Sequence, residues 1–250
     1  MKSQINIILI TFIFILIICL ILYIIIKISN QNNYNSKYIN KLNNLHNKLT
    51  LKHGSFKEEI PEQLMAIRFI KGNEKVLELG SNIGRNTLII ADILNSNGNN
   101  NLVTLECDKE SVKKLEENKN LNNLDFHIEP SALSKRNLIQ KDWDTIVSDV
   151  LLDGYTKVDT ITFNDLKNKY NIDFDTLVLD CEGAFYYILK DMPEILDNIK
   201  LIIMENDYKD IEHKKYIDSV LKDRNFKTIY SEGGGWGPCE KFFFEVWKKY

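Results

Sequence analysis

The chain has 250 residues, of which 44% are hydrophobic and 27% charged, and a formal net charge of −3 at pH 7. Lysines and acidic residues are intermixed, so no basic surface is predicted and nucleic acid is not expected as a partner. The cysteines form no Cys-x-x-Cys pair and no Cys/His cluster of zinc spacing, which predicts reduced thiols and no zinc site; they are Cys19, Cys107, Cys181 and Cys239.

The N-terminal part of the chain is strongly apolar. Residues 7–26 carry no charge and are numerous enough to cross a hydrocarbon core as a helix, so residues 1–27 are predicted to form a transmembrane anchor in contact with a membrane. A cleaved signal peptide is the alternative, but residues 27–31 offer no small-residue cleavage site. Lysines on both flanks give a thin positive-inside bias, which favours a single-pass protein with the bulk of the chain in the cytoplasm.

Residues 28–53 are polar and rich in asparagine, which predicts a linker. Leucines at positions 42, 45 and 49 have helical spacing, so one marginal helix is expected within it. From residue 54 to 250 a folded domain is predicted. It begins with a helix whose first turn holds Pro61, followed by an apolar stripe up to residue 70.

A short apolar strand, Val76–Leu79, runs into a turn with two glycines and then into a helix. Gly80 lets the backbone bend directly after the strand, and Gly84 lets the helix begin close to a ligand with its free N–H groups exposed. With Ser81 and Asn82 between them, these glycines predict a loop for a nucleotide cofactor. An adenosyl group suits it, and S-adenosylmethionine (SAM) is the cofactor that we predict.

Other nucleotide loops fit this stretch less well. A dinucleotide fingerprint would need glycines where Asn82 and Arg85 stand, and no Gly-Lys-Ser/Thr follows. Glu78, two residues before the turn, would repel a pyrophosphate but can orient the ammonium group of an amino-acid-like ligand. An ordinary βα turn with a glycine at each end is the alternative.

The second predicted strand, residues 102–106, ends in Glu106. A carboxylate in this place can accept both hydroxyls of an adenosine ribose; an exposed acid at a strand end is the alternative. The third strand leads to Ser131 and Ala132, in a loop expected to border an adenine. Residues 135–158 lack clear periodicity, and the sequence leaves open a lid over the site or a plain surface loop.

Two further apolar strands end in acids. Asp180 and Glu182 follow one of them, and Glu205 follows the next. Ligands of open parallel sheets bind at the carboxyl ends of the strands, so these carboxylates should face the same crevice as Gly80. They can accept a proton from a hydroxyl nucleophile. A helix-capping role for Asp180 is one alternative, and a divalent metal bound by the three acids is another.

Taken together, residues 54–248 resemble class I SAM-dependent methyltransferases, and more narrowly the FkbM family. The family's acidic-x-Gly-x-Asn-x-Gly loop is matched by Glu78, Gly80, Asn82 and Gly84, and its acid after the second strand is matched by Glu106. Residues 132–134 match its Ala-Leu-Ser step. Its Asp-x-Glu-Gly-Ala run is matched by Asp180, Glu182, Gly183 and Ala184. Val178 and Phe185 depart from the family, which usually has a lysine and a glutamate there.

The resemblance implies a doubly wound α/β fold with a mostly parallel, seven-stranded Rossmann-like sheet, whose last strand is antiparallel. It also implies methyl transfer to oxygen, often on a sugar or another small hydroxylated acceptor. In the expected mechanism Glu78 and residues 80–84 hold the methionine portion, Glu106 holds the ribose, and Asp180, with Glu182 or Glu205, deprotonates the acceptor. A catalytically inactive binding or scaffold protein of the same fold is the alternative, which the two departures support.

Overall fold

The computed structural model describes residues 17–21, 36–142 and 144–250. The chain forms two compact units, Met1–Asn44 and Leu45–Tyr250. Residues 17–21 are helical and exposed, and residues 36–48 are helical across the boundary between the units.

The predicted membrane anchor requires a correction. Among the described residues, no helix combines the length and the apolar character needed to span a bilayer. The described part of residues 7–26 is the helical stretch 17–21. The rest of that segment lies outside the described residues. This finding contradicts the transmembrane helix and the single-pass localisation that hydropathy predicted, and it leaves the predicted membrane contact without support.

The second unit alternates strands and helices. Its strands are β1 (Val76–Leu79), β2 (Leu102–Leu105), β3 (His127–Glu129), β4 (Ala132–Leu133), β5 (Leu138–Lys141), β6 (Asp144–Val147), β7 (Thr156–Val158), β8 (Thr160–Ile161), β9 (Thr176–Leu179), β10 (Leu201–Glu205), β11 (Phe226–Glu232) and β12 (Phe244–Lys249). Its α-helices are α1 (Ile60–Phe69), α2 (Arg85–Asn95), α3 (Lys109–Leu121), α4 (Phe163–Tyr170), α5 (Ala184–Asp191) and α6 (Ile211–Asp223), and short 3₁₀ helices cover Pro193–Leu196 and Gly237–Phe242.

Local sequence explains where several helices begin. Pro61 lies in the first turn of α1, where its missing N–H costs no hydrogen bond. Asp108 caps α3 by accepting a hydrogen bond from the Ser111 N–H at 2.7 Å. Gly84 and Gly183, both with positive φ, precede α2 and α5, so each of these helices starts directly after a tight turn at a strand end.

Seven strands form one sheet in the order β11-β12-β10-β9-β1-β2-β3. All neighbours from β10 to β3 pair in parallel, whereas β12 runs antiparallel to β10 and to β11. The sheet part of the prediction is therefore confirmed, including the antiparallel last strand. From the β1/β9 pair, β2 and β3 follow on one side and β10 on the other, where β12 is inserted between β10 and β11. The sheet is therefore doubly wound, with a topological switch point between β1 and β9.

The segment 135–158, which lacks periodicity in the sequence, forms a small antiparallel sheet in the order β6-β5-β7. Most of its side chains are exposed or half-buried, which explains the missing pattern. Gln140 of β5 lies 3.7 Å from the Cys107 sulfur, and Asp144 of β6 forms an ion pair with Lys209 at 3.6 Å. The small sheet therefore contacts the loops that follow β2 and β10. Trp143 lies outside the described residues.

Residues 50–53 are fixed to α3 by the buried side chain of Asn118. Its amide oxygen accepts hydrogen bonds from the Lys52 and His53 N–H groups at 2.8 and 3.1 Å. Its amide nitrogen donates to the Ile83 carbonyl at 2.9 Å. One asparagine thus joins the end of the predicted linker, α3 and the turn after β1.

Candidate active site

The turn after β1 and the loop after β9 approach each other closely at the carboxyl edge of the sheet. Gly80 has φ +86°, and a Cβ on it would overlap the carbonyl oxygen of Asp180. Gly84 has φ +94°, and a Cβ there would overlap the Leu115 side chain of α3. Asn82 is also left-handed, with φ +49°. Both residues favour glycine because of their positive φ, and at residue 80 the backbone of Asp180 also leaves no space for a Cβ.

Glu106 joins this turn to the loop that follows β2. One oxygen of its carboxylate accepts the Asn82 N–H and the other accepts the Asp108 N–H, both at 2.8 Å. Beside it, the buried Ser81 lies with its hydroxyl 3.4 Å from the Leu105 carbonyl. Burial raises the pKa of Glu106, and the two N–H groups oppose that shift. A carboxylate fixed by two N–H groups still has lone pairs with which it can accept hydroxyl donors.

Glu78 lies inside the sheet beneath the turn. Its side chain accepts a hydrogen bond from the Thr104 hydroxyl at 2.7 Å, and only 2% of the residue is exposed. Burial raises the pKa of Glu78 to about 7. This carboxyl can therefore gain or lose a proton near neutral pH. Its contact with a ligand ammonium group stays a prediction.

Ser131 and Ala132 are held near the end of β3. The Ser131 hydroxyl donates to the Glu129 carboxylate at 3.1 Å, which also forms an ion pair with Lys169 at 2.7 Å. Ala132 donates its N–H to the Asp159 carbonyl at 2.9 Å, beside β8. These contacts fix the backbone of both residues, and their contact with an adenine stays a prediction.

Asp180 and Glu205 are brought together, as the strand order predicts. Burial is the largest cause that raises the pKa of Asp180 well above its usual range, and the carboxylates of Asp207, Glu59, Glu62 and Glu182 add to it. Burial likewise raises the pKa of Glu205 to about 10, with Asp180 as the next cause. Both shifts have the same direction, so these carboxyls hold their protons to a higher pH than exposed acids do.

Glu182 and Asp207 form the other side of this acidic region. The Gly183 N–H, at the start of α5, donates to the Asp207 carboxylate at 2.9 Å. Asp207 is 5% exposed, and burial, with Glu182 as the second cause, raises its pKa to about 7. Glu182 is exposed and left-handed, with φ +51°. The N–H at the start of α5 is therefore accepted by Asp207 and not by Asp180, the helix cap considered from the sequence.

Three residues of the candidate site were not identified from the sequence. Glu59 and Glu62, at the start of α1, lie beside Asp180, and the Glu62 carboxyl is hydrogen-bonded to that of Glu205. Arg85 forms ion pairs with Glu58 and, at 2.7 Å, with Glu59. The run of acids around Pro61 is the signal that could have pointed to them, because α1 packs against α2 and β10.

Across residues 17–21, 36–142 and 144–250, no group of three or more histidines, cysteines or acids has the arrangement needed to hold a metal ion. The acidic region is therefore a set of carboxyl groups without the geometry of a metal centre, and no step of the proposed mechanism uses a metal.

No protein-family model matches the chain, and no curated protein is similar enough to match it. Several solved structures are similar. A ribosomal protein L11 methylase from Lactobacillus delbrueckii subsp. bulgaricus is 14% identical, with a TM-score of 0.47, over 80% of this chain and 82% of the other. A putative O-methyltransferase from Klebsiella pneumoniae is 14% identical, with a TM-score of 0.46, over 85% and 89%. The O-methyltransferase from Bacillus cereus, in complex with SAH, is 13% identical, with a TM-score of 0.44, over 84% and 89%.

Proposed function

We propose that the chain is a class I SAM-dependent methyltransferase, similar to the FkbM family, that methylates a hydroxyl group of a small molecule. The observation that supports this most is the close approach of the Gly80 turn to Asp180 at the switch point. One side of that crevice offers a left-handed turn at a helix start, which suits a nucleotide cofactor. The other offers the half-buried carboxyl of Asp180, which suits a proton acceptor.

The residues of the crevice fit SAM. The turn 80–84 has left-handed residues at Gly80, Asn82 and Gly84 and leads directly into α2, whose first N–H groups can bind a ligand. Glu106 is oriented by two N–H groups and would accept the ribose hydroxyls. Glu78 and the turn would hold the methionine portion, and Ser131 and Ala132 would border the adenine. When bound, SAM supplies an electrophilic methyl group on a positively charged sulfur.

The carboxyls after β9 and β10 would prepare the acceptor. Asp180, with its raised pKa, is a stronger base in its ionised form than an exposed aspartate, so it would take the proton of the acceptor hydroxyl. Glu182 or Glu205 would bind and orient the acceptor. Alignment of oxygen, methyl group and leaving group in one line would supply much of the acceleration.

Calorimetric titration of SAM and of S-adenosylhomocysteine (SAH) into the full chain tests the cofactor. We expect micromolar binding, reduced about 100-fold or more in Glu106→Ala, because two hydrogen bonds from a charged acceptor are lost. Glu116→Ala, at an exposed position of α3, is the matched control. A folded chain that binds neither compound would contradict the proposal, and unchanged affinity in Glu106→Ala would contradict the ribose assignment.

Turnover tests the proton acceptor separately. Asp180→Asn should bind SAM with unchanged affinity and form SAH about 100-fold more slowly with hydroxylated acceptors, as expected on loss of a general base. The scaffold alternative predicts cofactor binding without turnover in the unmodified chain. One observation bears on that alternative: Val178 and Phe185, the two departures from the family, are both buried, so they contribute to the core of the fold.

A further inference from the structure

Four carboxyl groups from three elements face one another in the crevice. We call them the acid cluster: Glu59 and Glu62 at the start of α1, Asp180 after β9, and Glu205 at the end of β10. Glu62 is 9% exposed, and its Oε2 has no hydrogen-bond partner within the described chain. A buried carboxylate oxygen without a donor is costly, so it indicates that a donor arrives from outside the chain.

Further acidic side chains surround the acid cluster. Asp180 is flanked by Asp207 and Glu182 in addition to the α1 acids, and Glu205 by Asp207. The cations recorded nearby belong to other members: Arg85 is paired with Glu58 and Glu59, and Lys209 acts on Glu182. Burial raises the pKa of Glu62, Asp180 and Glu205, and the neighbouring carboxyls add to each shift.

This environment selects the charge of a ligand. A phosphate or carboxylate group would be repelled by any ionised member of the cluster, and a neutral hydroxyl would bring no charge to balance an ionised carboxyl. The described residues offer no metal geometry. An alkylammonium group carries one positive charge and several N–H donors that can reach separate carboxyl oxygens. Such a group would balance the charge of ionised carboxyls in the cluster and would donate a hydrogen bond to the unpartnered oxygen of Glu62.

Resting on the proposed function, we infer that the acceptor is a hydroxylated amine, whose ammonium group binds between Glu62 and Glu205 while its hydroxyl faces Asp180. The class includes amino alcohols and amino sugars. No net chemistry is added to the methyl transfer: the oxygen–methyl bond forms, the sulfur–methyl bond breaks, and the hydroxyl proton goes to Asp180. Glu62 and Glu205 bind and orient the acceptor.

Ethanolamine is the probe, with ethylene glycol as its uncharged match, at constant ionic strength near pH 7.5, where most of the amine is protonated. Calorimetry with the full chain should detect ethanolamine and not ethylene glycol. Binding should release about one proton, because an ammonium group displaces the proton shared by Glu62 and Glu205. The release is read from the difference in heat between phosphate and MOPS buffers.

Glu62→Gln and Glu205→Gln should each weaken ethanolamine binding about tenfold or more and abolish the proton release. Glu110→Gln, on the exposed face of α3, is the control. Two variants are used so that a folding defect in one, checked by circular dichroism, leaves the other informative. Equal binding by both folded variants and the unmodified chain would overturn the inference, as would the absence of ethanolamine binding.

A competition experiment separates an acceptor site from the amino group of the cofactor. Ethanolamine should still bind when the chain is saturated with SAH. Loss of ethanolamine binding with SAH, but not with 5′-methylthioadenosine, which lacks the amino-acid part, would assign the acid cluster to the cofactor and overturn the inference. Titration of SAM into the same sample tests the proposed function independently of the acceptor. SAM binding without ethanolamine binding refutes only the inference, and absence of SAM binding refutes the function on which it rests.

Discussion

Replacing Glu78 with glutamine should remove a pH-dependent loss of folding stability. Burial raises the pKa of Glu78 from its ordinary value of 4.5 to about 7. The folded chain therefore holds this proton more tightly than the unfolded chain does. The resulting stabilisation is complete below about pH 4.5 and is lost as the pH rises through about 7. At about 1.4 kcal/mol per pH unit, the whole contribution is about 3 kcal/mol, and most of it is lost between pH 5 and pH 8.

Urea unfolding at several pH values between about 5 and 8 measures this effect. Glutamine retains an oxygen that accepts the Thr104 hydroxyl, which lies 2.7 Å from the Glu78 carboxylate, so the fold should persist. Relative to the unmodified chain, the unfolding free energy of Glu78→Gln should increase by about 2 to 3 kcal/mol from pH 5 to pH 8. Glu116→Gln, at an exposed position, should show no such change. Parallel stability curves for Glu78→Gln and the unmodified chain would refute the reasoning.

Two substitution pairs test the packing around the site by urea unfolding. Gly80→Ala should destabilise the chain by about 2 kcal/mol more than Gly98→Ala, because both glycines have positive φ but only a Cβ at residue 80 overlaps a neighbour, the Asp180 carbonyl oxygen. Similar losses would contradict the predicted overlap. Lys214→Met should cost about 3 kcal/mol, because this buried lysine compensates two carboxylates. Lys215→Met, on the same helix but exposed, should change little, and equal effects would refute the role of the buried ion pairs.

The central sheet could be predicted because its strands are buried on both faces. The strands β1, β2 and β9 are buried along their whole length, and in sequence such strands are continuous apolar runs. The small sheet of β5, β6 and β7 could not be predicted, because its exposed positions leave neither an apolar run nor an alternation. The hydropathy of residues 7–26 predicted a spanning helix that the described residues do not contain.

The candidate site was predictable in part for a related reason. Gly80, Glu106 and Asp180 each follow a parallel strand, and parallel strands end at one edge of the sheet. Glu62 is different, because its place beside Glu205 depends on how α1 packs against β10. Sequence spacing alone does not fix the packing of a helix that precedes the first strand, so Glu62 could be found only from the folded chain.

Protonation of the acid cluster affects both the folding stability of the chain and the binding of an ammonium group. Each carboxyl whose pKa is raised by folding makes the folded chain less stable as the pH rises, and Asp180, Glu205 and Glu62 all belong to this class. A core would be more stable with neutral side chains at these positions. A ligand ammonium group reverses the balance, because it favours the ionised carboxyls in the folded chain alone. Ethanolamine should therefore stabilise the chain more at pH 8 than at pH 5, whereas ligand binding that does not involve these carboxyls would give no such difference.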